Sequence, residues 1–558
     1  MGALGVRRGA VSTIRTGLVT IPPHLPPPGS AVSRPPDLAR PTSVCLVIPP
    51  SSFLLDERVF MSLGILKVAA VLEQAGIPVE MLDLSGLKNY VEALEDHLRT
   101  TSAQVIGFTT TTPQLPSAVA LAERAREIRP DARLILGGPH VTLVSSAVKL
   151  EQRAGRRSRA HAALARMESI FDVLVSGDGE RAIFRALAAD APKLVDADDA
   201  KNGMFLSDLD FERSPFPARH LVDPSSYHYT IEGRNATSLI GQLGCPFGCG
   251  FCGGRNSRTL RAIRVRGVGS IVAEVEHLHR VYGYTGFMFY DDELNVSPKL
   301  LELLDELTDL QARLGVDFRL RGFVKSELFT PEQAAAMYRA GFRWILCGFE
   351  AASPRILTNI NKRATLEDNT RAVATARANG LKVKALMSIG HPGESEESIR
   401  AVRDWLLEVR PDDFDCTIIT TYPGTPYYDE ALAHPSEPRV WTYTAKKTGD
   451  RLHAYEVDFC EVAEYYKGDP DSGYRSYVYT DHLSAEQIVS LRDWVERDVR
   501  HRCGIPFNPS APAVSYEHSM GQGANALPSF VLRRSDPSVS GGKRRREPLP
   551  RGIHAGAE

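Results

Sequence analysis

Cys245, Cys249 and Cys252 stand in one short run, Gly244-Cys-Pro-Phe-Gly-Cys-Gly-Phe-Cys-Gly253, with C-x3-C-x2-C spacing and no fourth cysteine nearby. A chain with such a loop must fold so that three thiols converge on one point. Thiolates this closely spaced suit an iron–sulfur cluster. Three ligands on a cluster of four irons leave one iron without a protein ligand. An open metal position takes a small molecule, by the reasoning that separates catalytic from structural zinc sites. A zinc knuckle would need a second Cys-x2-Cys pair or paired histidines, and none follows. A disulfide framework would need an oxidising compartment and more than eight cysteines in 558 residues. The remaining cysteines, Cys45, Cys347, Cys416, Cys460 and Cys503, are scattered and read as reduced thiols of a cytoplasmic protein.

Length allows about three to four domains. Apolar residues make up 43% of the chain, enough for real cores, and the formal charge of −2 sets up no field that would draw nucleic acid. No run of about 18 apolar residues occurs, so no membrane helix is expected. Residues 1–42 hold Pro, Arg and Gly with no acid before Asp37, and residues 511–558 are rich in Ser, Gly, Pro and Arg. Both are expected to be disordered tails. Arg7, Arg8 and Arg15 resemble an organellar transit peptide, but a tail or a start set too far upstream fits better, because no cleavage signal follows.

Residues 43–195 alternate strand and helix. Short apolar strands are expected at Val44–Ile48, Val79–Leu84, Val105–Thr109, Leu134–Leu136 and Val173–Val175, with helices at Leu63–Gln74 and Ser117–Ile128 between them. That alternation argues a parallel sheet covered on both faces. Ligands of such sheets bind beyond the carboxyl ends of the strands. Three small polar turns stand there: Thr109-Thr110-Thr111-Thr112, Gly137-Gly138-Pro139-His140 and Ser176-Gly177-Asp178-Gly179-Glu180. Glycine lets a ligand approach the backbone, and free amides can hold phosphate. A basic stretch at 150–170, with Arg153, Arg156, Arg157, Arg159 and Arg166, reads as an exposed helix or loop of no assigned role.

Residues 196–235 form an irregular connector, and a second α/β series follows. Strands are expected at Ser238–Leu243, Gly286–Tyr290, Phe318–Gly322, Trp344–Phe349, Val383–Ile389 and Cys416–Thr421, with helices near 269–282, 298–313, 331–340, 366–379 and 395–409. Six β/α units suit a partial barrel, whose active site lies at the carboxyl ends of its strands. The cysteine loop follows the first of them. Residues 431–510 hold Trp441, Tyr443, Tyr455, Tyr465, Tyr466, Tyr474, Tyr477 and Tyr479. They are expected either to line a substrate pocket or to build a small, mostly helical region ending in the amphipathic stretch Ser484–Val499.

The cysteine loop, with Phe251 before its last cysteine, resembles the cluster loop of radical S-adenosylmethionine (radical SAM) enzymes. In that family the open iron of a [4Fe-4S] cluster holds the methionine end of S-adenosylmethionine (SAM), and an electron cleaves SAM to methionine and a 5′-deoxyadenosyl radical. Residues 43–195 resemble the cobalamin-binding domain that precedes the barrel in one large class of these enzymes, with flavodoxin- or Rossmann-like topology. The Asp-x-His-x-x-Gly motif that ligates cobalt in other cobalamin proteins is absent after the first strand, where Pro49-Pro-Ser-Ser-Phe-Leu-Leu-Asp56 stands. The resemblance covers residues 43 to about 430 and implies roles by position. Cys245, Cys249 and Cys252 would hold the cluster, while Phe251, Asp291, Asp292, Glu350 and Gly390 would seat SAM. Thr109, Thr110, Gly137, Gly138, His140, Gly177, Gly179 and Glu180 would line cobalamin. Asp292 or Asn295 could instead cap a helix.

The class implies methyl transfer to an unactivated carbon of a small molecule or peptide, with an external electron donor such as flavodoxin or ferredoxin. A cobalamin-assisted radical cyclase or rearrangement enzyme is the alternative. A methylthiotransferase is disfavoured, because only Cys45 lies upstream of the triplet. A non-catalytic cobalamin or cluster sensor would have no need of a SAM seat.

Overall fold

A computed structural model describes residues 42–51, 57–87, 89–462 and 475–506. The tails expected at 1–42 and 511–558 lie outside these residues, apart from Thr42, as do Ser52–Asp56, Tyr465, Tyr466 and Tyr474.

The first sheet has six parallel strands: β1 (Val44–Ile48), β2 (Val79–Asp83), β3 (Val105–Thr109), β4 (Arg133–Gly137), β5 (Val173–Ser176) and β6 (Leu194–Asp196), in the order β2-β1-β3-β4-β5-β6. β1 and β3 match the expected ranges, because an unbroken run of buried Val, Ile and Leu leaves no other reading. The short β6 is an addition to the five expected strands. It pairs with β5 from Leu174↔Leu194 to Ser176↔Asp196.

The second sheet holds seven strands, ordered β15-β14-β13-β12-β11-β8-β7. They are β7 (Thr230–Ile231), β8 (Arg234–Leu239), β11 (Gly286–Phe289), β12 (Arg319–Phe323), β13 (Phe342–Glu350), β14 (Lys382–Ile389) and β15 (Asp413–Ile418). β9 (Gln242–Leu243) and β10 (Arg264–Val265) form a separate antiparallel pair. β7 is antiparallel to β8, and the other six strands run parallel with helices between them. This is the partial barrel of six units. β8 begins four residues earlier than expected, with exposed Arg234 and Asn235, and its pairing with β11 ends at Leu239↔Phe289.

The C-terminal region corrects an expectation. It is not mostly helical: β16 (Leu432–Ala433), β17 (Val440–Thr444), β18 (Arg451–Tyr455) and β19 (Val478–Thr480) form an antiparallel sheet beside one helix, Ala485–Cys503. Aromatic and β-branched residues at Val440, Trp441, Thr442, Tyr443 and Thr444 favour a pleated strand over a helix.

The final helix answers a different problem. β15 is the barrel's edge strand, and an open edge exposes unpaired backbone groups. Here the helix supplies side chains instead of a strand. Cys416 N–H donates to Glu496 Oε1 at 2.7 Å, Arg492 Nε donates to the Cys416 carbonyl at 2.9 Å, and Arg500 donates to the Phe414 carbonyl at 2.6 Å.

Candidate active site

The cysteine loop is fastened by its backbone to three other segments. Cys245 N–H donates to the Leu260 carbonyl at 3.2 Å and Gly250 N–H to the Ile360 carbonyl at 2.7 Å. Tyr427 N–H donates to the Gly250 carbonyl at 3.0 Å, and Gly254 N–H to the Gly424 carbonyl at 3.1 Å. Gly250 is required by space, since a Cβ there would lie 2.3 Å from Tyr427 Cε1. The turns after β13 and β15 therefore fix the loop that follows β8.

The three thiols fit a cluster better than a single ion. Tetrahedral zinc would hold its sulfurs about 3.8 Å apart. Among the described residues, the group of three donors close enough to share one ion does not include the loop cysteines. Burial pushes the Cys252 thiol up to about 12, and it raises Cys245 and Cys249 as well. Such thiols ionise when a metal takes the proton's place. Three cations surround them and suit an anionic cluster. Arg255 donates to the Cys245 carbonyl at 3.3 Å, Lys325 Nζ stands 4.2 Å from the Phe247 ring centre, and Lys362 acts on Cys249.

Beyond the loop, a cavity of about 380 Å³ crosses the carboxyl ends of the barrel strands. Its lining includes Phe251, Tyr290, Glu350, Leu386, Ser388 and Tyr422. That volume lies in the ordinary range for a small-molecule site. Glu350 closes β13 with φ +67°, a left-handed conformation rare outside glycine. Its Oε1 meets Lys362 Nζ at 3.1 Å, and its Oε2 accepts from Ser388 Oγ at 2.7 Å. Ser388 continues to His391 Nε2 at 2.9 Å, and His391 Nδ1 lies 3.4 Å from the Tyr427 hydroxyl. The His391 ring packs edge-on against Phe251, centres 5.3 Å apart. Gly390 begins this turn at φ +88°, a Cβ there lying 3.1 Å from Val478 Cγ2. The backbone strain at Glu350 is held by this packing.

Asp291 is buried at the end of β11. It is 3% exposed, and its Oδ1 accepts the Gly241 amide at 2.7 Å while the Gln242 amide also holds it. Burial pushes its carboxyl up to about 7 despite those amides. Asp291 thus ties the end of β11 to the end of β8 and is not among the residues that line the cavity just described. Asp292 is exposed beside Arg255 and the Gly244 amide. Glu293, which sequence reasoning passed over, lies among Lys362, Lys325 and Glu350, and desolvation pushes it up to about 7. Lys362 was also missed as part of the site, and the side chains of His391 and Tyr427 were given no role of their own. They come from separate turns, and only the fold gathers them.

At the carboxyl ends of the first sheet, Thr109, Gly137 and Gly138 remain half-buried. Thr110 is buried, and its amide and hydroxyl both donate to the Gly137 carbonyl, at 3.0 and 3.2 Å. Gly138 has φ +102°, and a Cβ would lie 2.6 Å from the Thr110 backbone. His140 is 1% exposed, its Nδ1 lies 3.0 Å from Thr112 Oγ1, and burial pushes it down to about 4. It is therefore a neutral ring already engaged. The turn at Gly177–Glu180 is closely packed. A Cβ on Gly177 would lie 2.5 Å from Asp198 N, and one on Gly179 would lie 2.8 Å from Val68 Cγ2. Asp178 pairs with Arg264 of β10 at 2.6 Å, and Glu180 acts on Lys67. Buried Ser176 Oγ, at the end of β5, and Ser145 Oγ, on the helix after β4, have no partner. Orphaned hydroxyls at a strand end suit a polar ligand group.

The first sheet's side packs against residues that line the cavity. Phe60, beyond the end of β1, packs on Tyr290 with centres 5.3 Å apart. Phe459 packs on both His140 at 5.8 Å and Tyr422 at 5.9 Å. Leu143 lies against Gly253 of the cluster loop, 3.0 Å from where its Cβ would stand. The basic stretch is not idle, a further correction. Arg156 donates to the Asp429 carbonyl at 2.6 Å, and Arg159 bonds the Tyr428 carbonyl and stacks between Tyr428 and Trp441, 3.6 and 4.3 Å from their ring centres. Trp441 serves this joint, and Tyr443 packs on Tyr427, centres 4.8 Å apart. No described residue of 431–510 lines the cavity.

A three-cysteine loop stands on a partial barrel that packs against a second parallel sheet. Residues 239–406 match the Radical SAM superfamily, and residues 57–155 match the B12 binding domain. Both a radical SAM domain and a B12-binding domain are therefore present in this chain. An uncharacterized methyltransferase of Pyrococcus horikoshii is 27% identical over 59% of this chain and 70% of its own. The anaerobic magnesium-protoporphyrin IX monomethyl ester cyclase of Rubrivivax gelatinosus is 24% identical over 61% of this chain and 60% of its own. The radical SAM methyltransferase TsrM from Kitasatospora setae, solved with cobalamin and a [4Fe-4S] cluster, shares the fold at TM-score 0.57 and 18% identity. That match covers 82% of this chain and 99% of TsrM. Among the described residues no helix is long and apolar enough to cross a membrane.

Proposed function

We propose that the protein transfers a methyl group from SAM to an unactivated carbon of a small molecule or peptide. The observation that carries this reading is the cavity at the carboxyl ends of the barrel strands, with Phe251 of the cluster loop and Glu350 of β13 in its wall. At its rim, Tyr290 and Tyr422 touch Phe60 and Phe459, which lead to the ends of β1 and β4. When bound, the cluster supplies the electron that cleaves SAM, and cobalamin supplies a carrier for the methyl group.

The chain's own residues do the rest. Cys245, Cys249 and Cys252 hold the cluster, and Arg255, Lys325 and Lys362 offset its charge. Glu350, oriented by Lys362 and Ser388, accepts hydrogen bonds from SAM, with Asp292 and Glu293 at the amino-acid end and Gly390 beside the adenine. Thr109, Gly137 and Gly138 border the corrin, while Ser176 and Ser145 offer hydroxyls to its polar groups. Aromatic and aliphatic walls keep water from the radical. The similarity to the cyclase favours one second reading, radical cyclisation with cobalamin as electron relay, in which SAM is consumed without forming S-adenosylhomocysteine. An electron donor such as flavodoxin or ferredoxin serves either reaction.

Because His140 is buried and hydrogen-bonded, the protein is expected to hold cobalamin without an imidazole on cobalt. Protein loaded with hydroxocobalamin should retain it through gel filtration. After reduction to the cob(II)alamin state, its electron paramagnetic resonance spectrum should lack nitrogen splitting from an axial base. Strong nitrogen splitting, or no retained cobalamin, would contradict the reading.

A further inference from the structure

We propose that Cys45, Glu80 and His97 form a second metal site, for one zinc-class divalent cation, at the end of the first sheet opposite the cofactors. Cys45 and Glu80 are register partners on β1 and β2, each the second residue of its strand, so their side chains share a face. The helix Tyr90–Leu98 runs back across that face and brings His97 over them in its last turn. The negative end of a helix favours a cation.

One donor atom from each residue lies within 4.8 Å of the other two. Cys45 Sγ is 3.5 Å from His97 Nε2, and His97 Nε2 is 2.9 Å from Glu80 Oε2. Tetrahedral zinc with ordinary bond lengths would hold sulfur and nitrogen about 3.6 Å apart, and nitrogen and oxygen about 3.3 Å apart. The sulfur–nitrogen separation already matches, and the nitrogen–oxygen separation is a few tenths of an ångström short. Thr101 Oγ1 donates to Glu80 Oε2 at 2.6 Å and so orients the carboxylate from behind. Outer hydrogen bonds of this kind are usual at zinc sites.

Thiolate, imidazole and carboxylate together select zinc over magnesium or calcium. Three protein ligands leave a fourth position for water. The Glu80 and His97 side chains are 38% and 26% exposed, so a cation can enter from solvent, whereas Cys45 is closed off on the inner side. On binding, the sulfur–hydrogen bond of Cys45 gives way to a sulfur–metal bond and the proton leaves to solvent, with no change of oxidation state. The ion would tie β1, β2 and their crossover helix together far from the radical chemistry.

The test uses full-length protein whose cluster has been reconstituted, so that iron occupies the loop thiols. It is incubated with zinc chloride, desalted and assayed for zinc and iron, and the zinc X-ray absorption edge is recorded. About one zinc per chain is expected, with one sulfur neighbour near 2.3 Å, about the ordinary zinc–thiolate length. His97→Ala and Glu80→Gln, both on the half-exposed side, should lower retained zinc at least tenfold while leaving iron unchanged. Cys45→Ser should remove the sulfur neighbour. If that core variant does not fold, the other two still decide. Zinc absent from the wild-type protein, or retained equally by His97→Ala, would overturn the proposal.

Discussion

Replacing any one of Cys245, Cys249 and Cys252 by Ala should remove the brown cluster and bring 5′-deoxyadenosine formation below detection. Each of the three contributes a separate ligand, and two thiolates do not hold a four-iron cubane that already lacks a fourth protein ligand. The loop offers no substitute, because its other groups are backbone amides and carbonyls already bonded to Leu260, Ile360, Gly424 and Tyr427. Iron analysis should fall from about four per chain toward none. Replacing Cys503, on the final helix, should leave iron and turnover as they are. Glu350→Ala separates the cluster from the SAM seat. It keeps all three thiols but removes the partner of Lys362 and Ser388. Iron should stay, while SAM binds about 10- to 150-fold more weakly, the equivalent of one charge-assisted hydrogen bond at about 1.5–3 kcal/mol. Equilibrium binding of SAM checks this, and an unchanged affinity would show that Glu350 faces something else.

The largest stability effect is expected at Glu274, on the helix that follows the cluster loop. Its Oε1 pairs with Arg219 at 2.8 Å and its Oε2 with Arg266 at 2.5 Å, all three side chains being within 3% exposure. The two guanidiniums also reach the end of β8: Arg219 donates to the Ser238 carbonyl at 2.8 Å and Arg266 to the Ile240 carbonyl at 2.9 Å. Glu274→Gln leaves two buried cations facing each other, at a cost of about 3–5 kcal/mol. Denaturant unfolding measures it, and a change under about 1 kcal/mol would show that water reaches the pair. Burial alone would raise the Glu274 carboxyl, but Arg266 and Arg219, aided by Lys67, carry it down from 4.5 to about 2. A depressed acid contributes stability above its unfolded value and loses it as protons bind to the folded form. The contribution should therefore be complete above pH 4.5 and fade toward pH 2, and Glu274→Gln should flatten the curve in that window.

The fold was legible wherever local pattern and burial coincide. β1, β3 and the helix Leu63–Gln74 have the expected ends, because apolar runs with Gly76 behind them admit one reading. The cysteine loop was legible because ligand spacing is local. The rest of the site was not, since its parts converge only through topology. Lys362 meets Glu350 because the short helix Pro354–Ile360 ends at Asn361, with φ +61°, and turns the chain back. An acidic pair on adjacent residues drew attention to Asp291, yet the turn after β11 sets Asp291 against the Gly241 and Gln242 amides and leaves Asp292 exposed. Phe459 and the basic pair Arg156 and Arg159 carried no local signal at all. Their partners lie 273 and 269 residues away for the two arginines.

The central claim, methyl transfer by a radical SAM enzyme with cobalamin, is tested most directly without the substrate. Protein carrying both the cluster and cobalamin is reduced under anaerobic conditions and given SAM labelled in its methyl group. The account predicts about one S-adenosylhomocysteine per cobalamin, with the label recovered in the corrin fraction. Formation of 5′-deoxyadenosine and methionine alone, with no S-adenosylhomocysteine and no label on the corrin, would contradict it and leave the cyclase reading in its place.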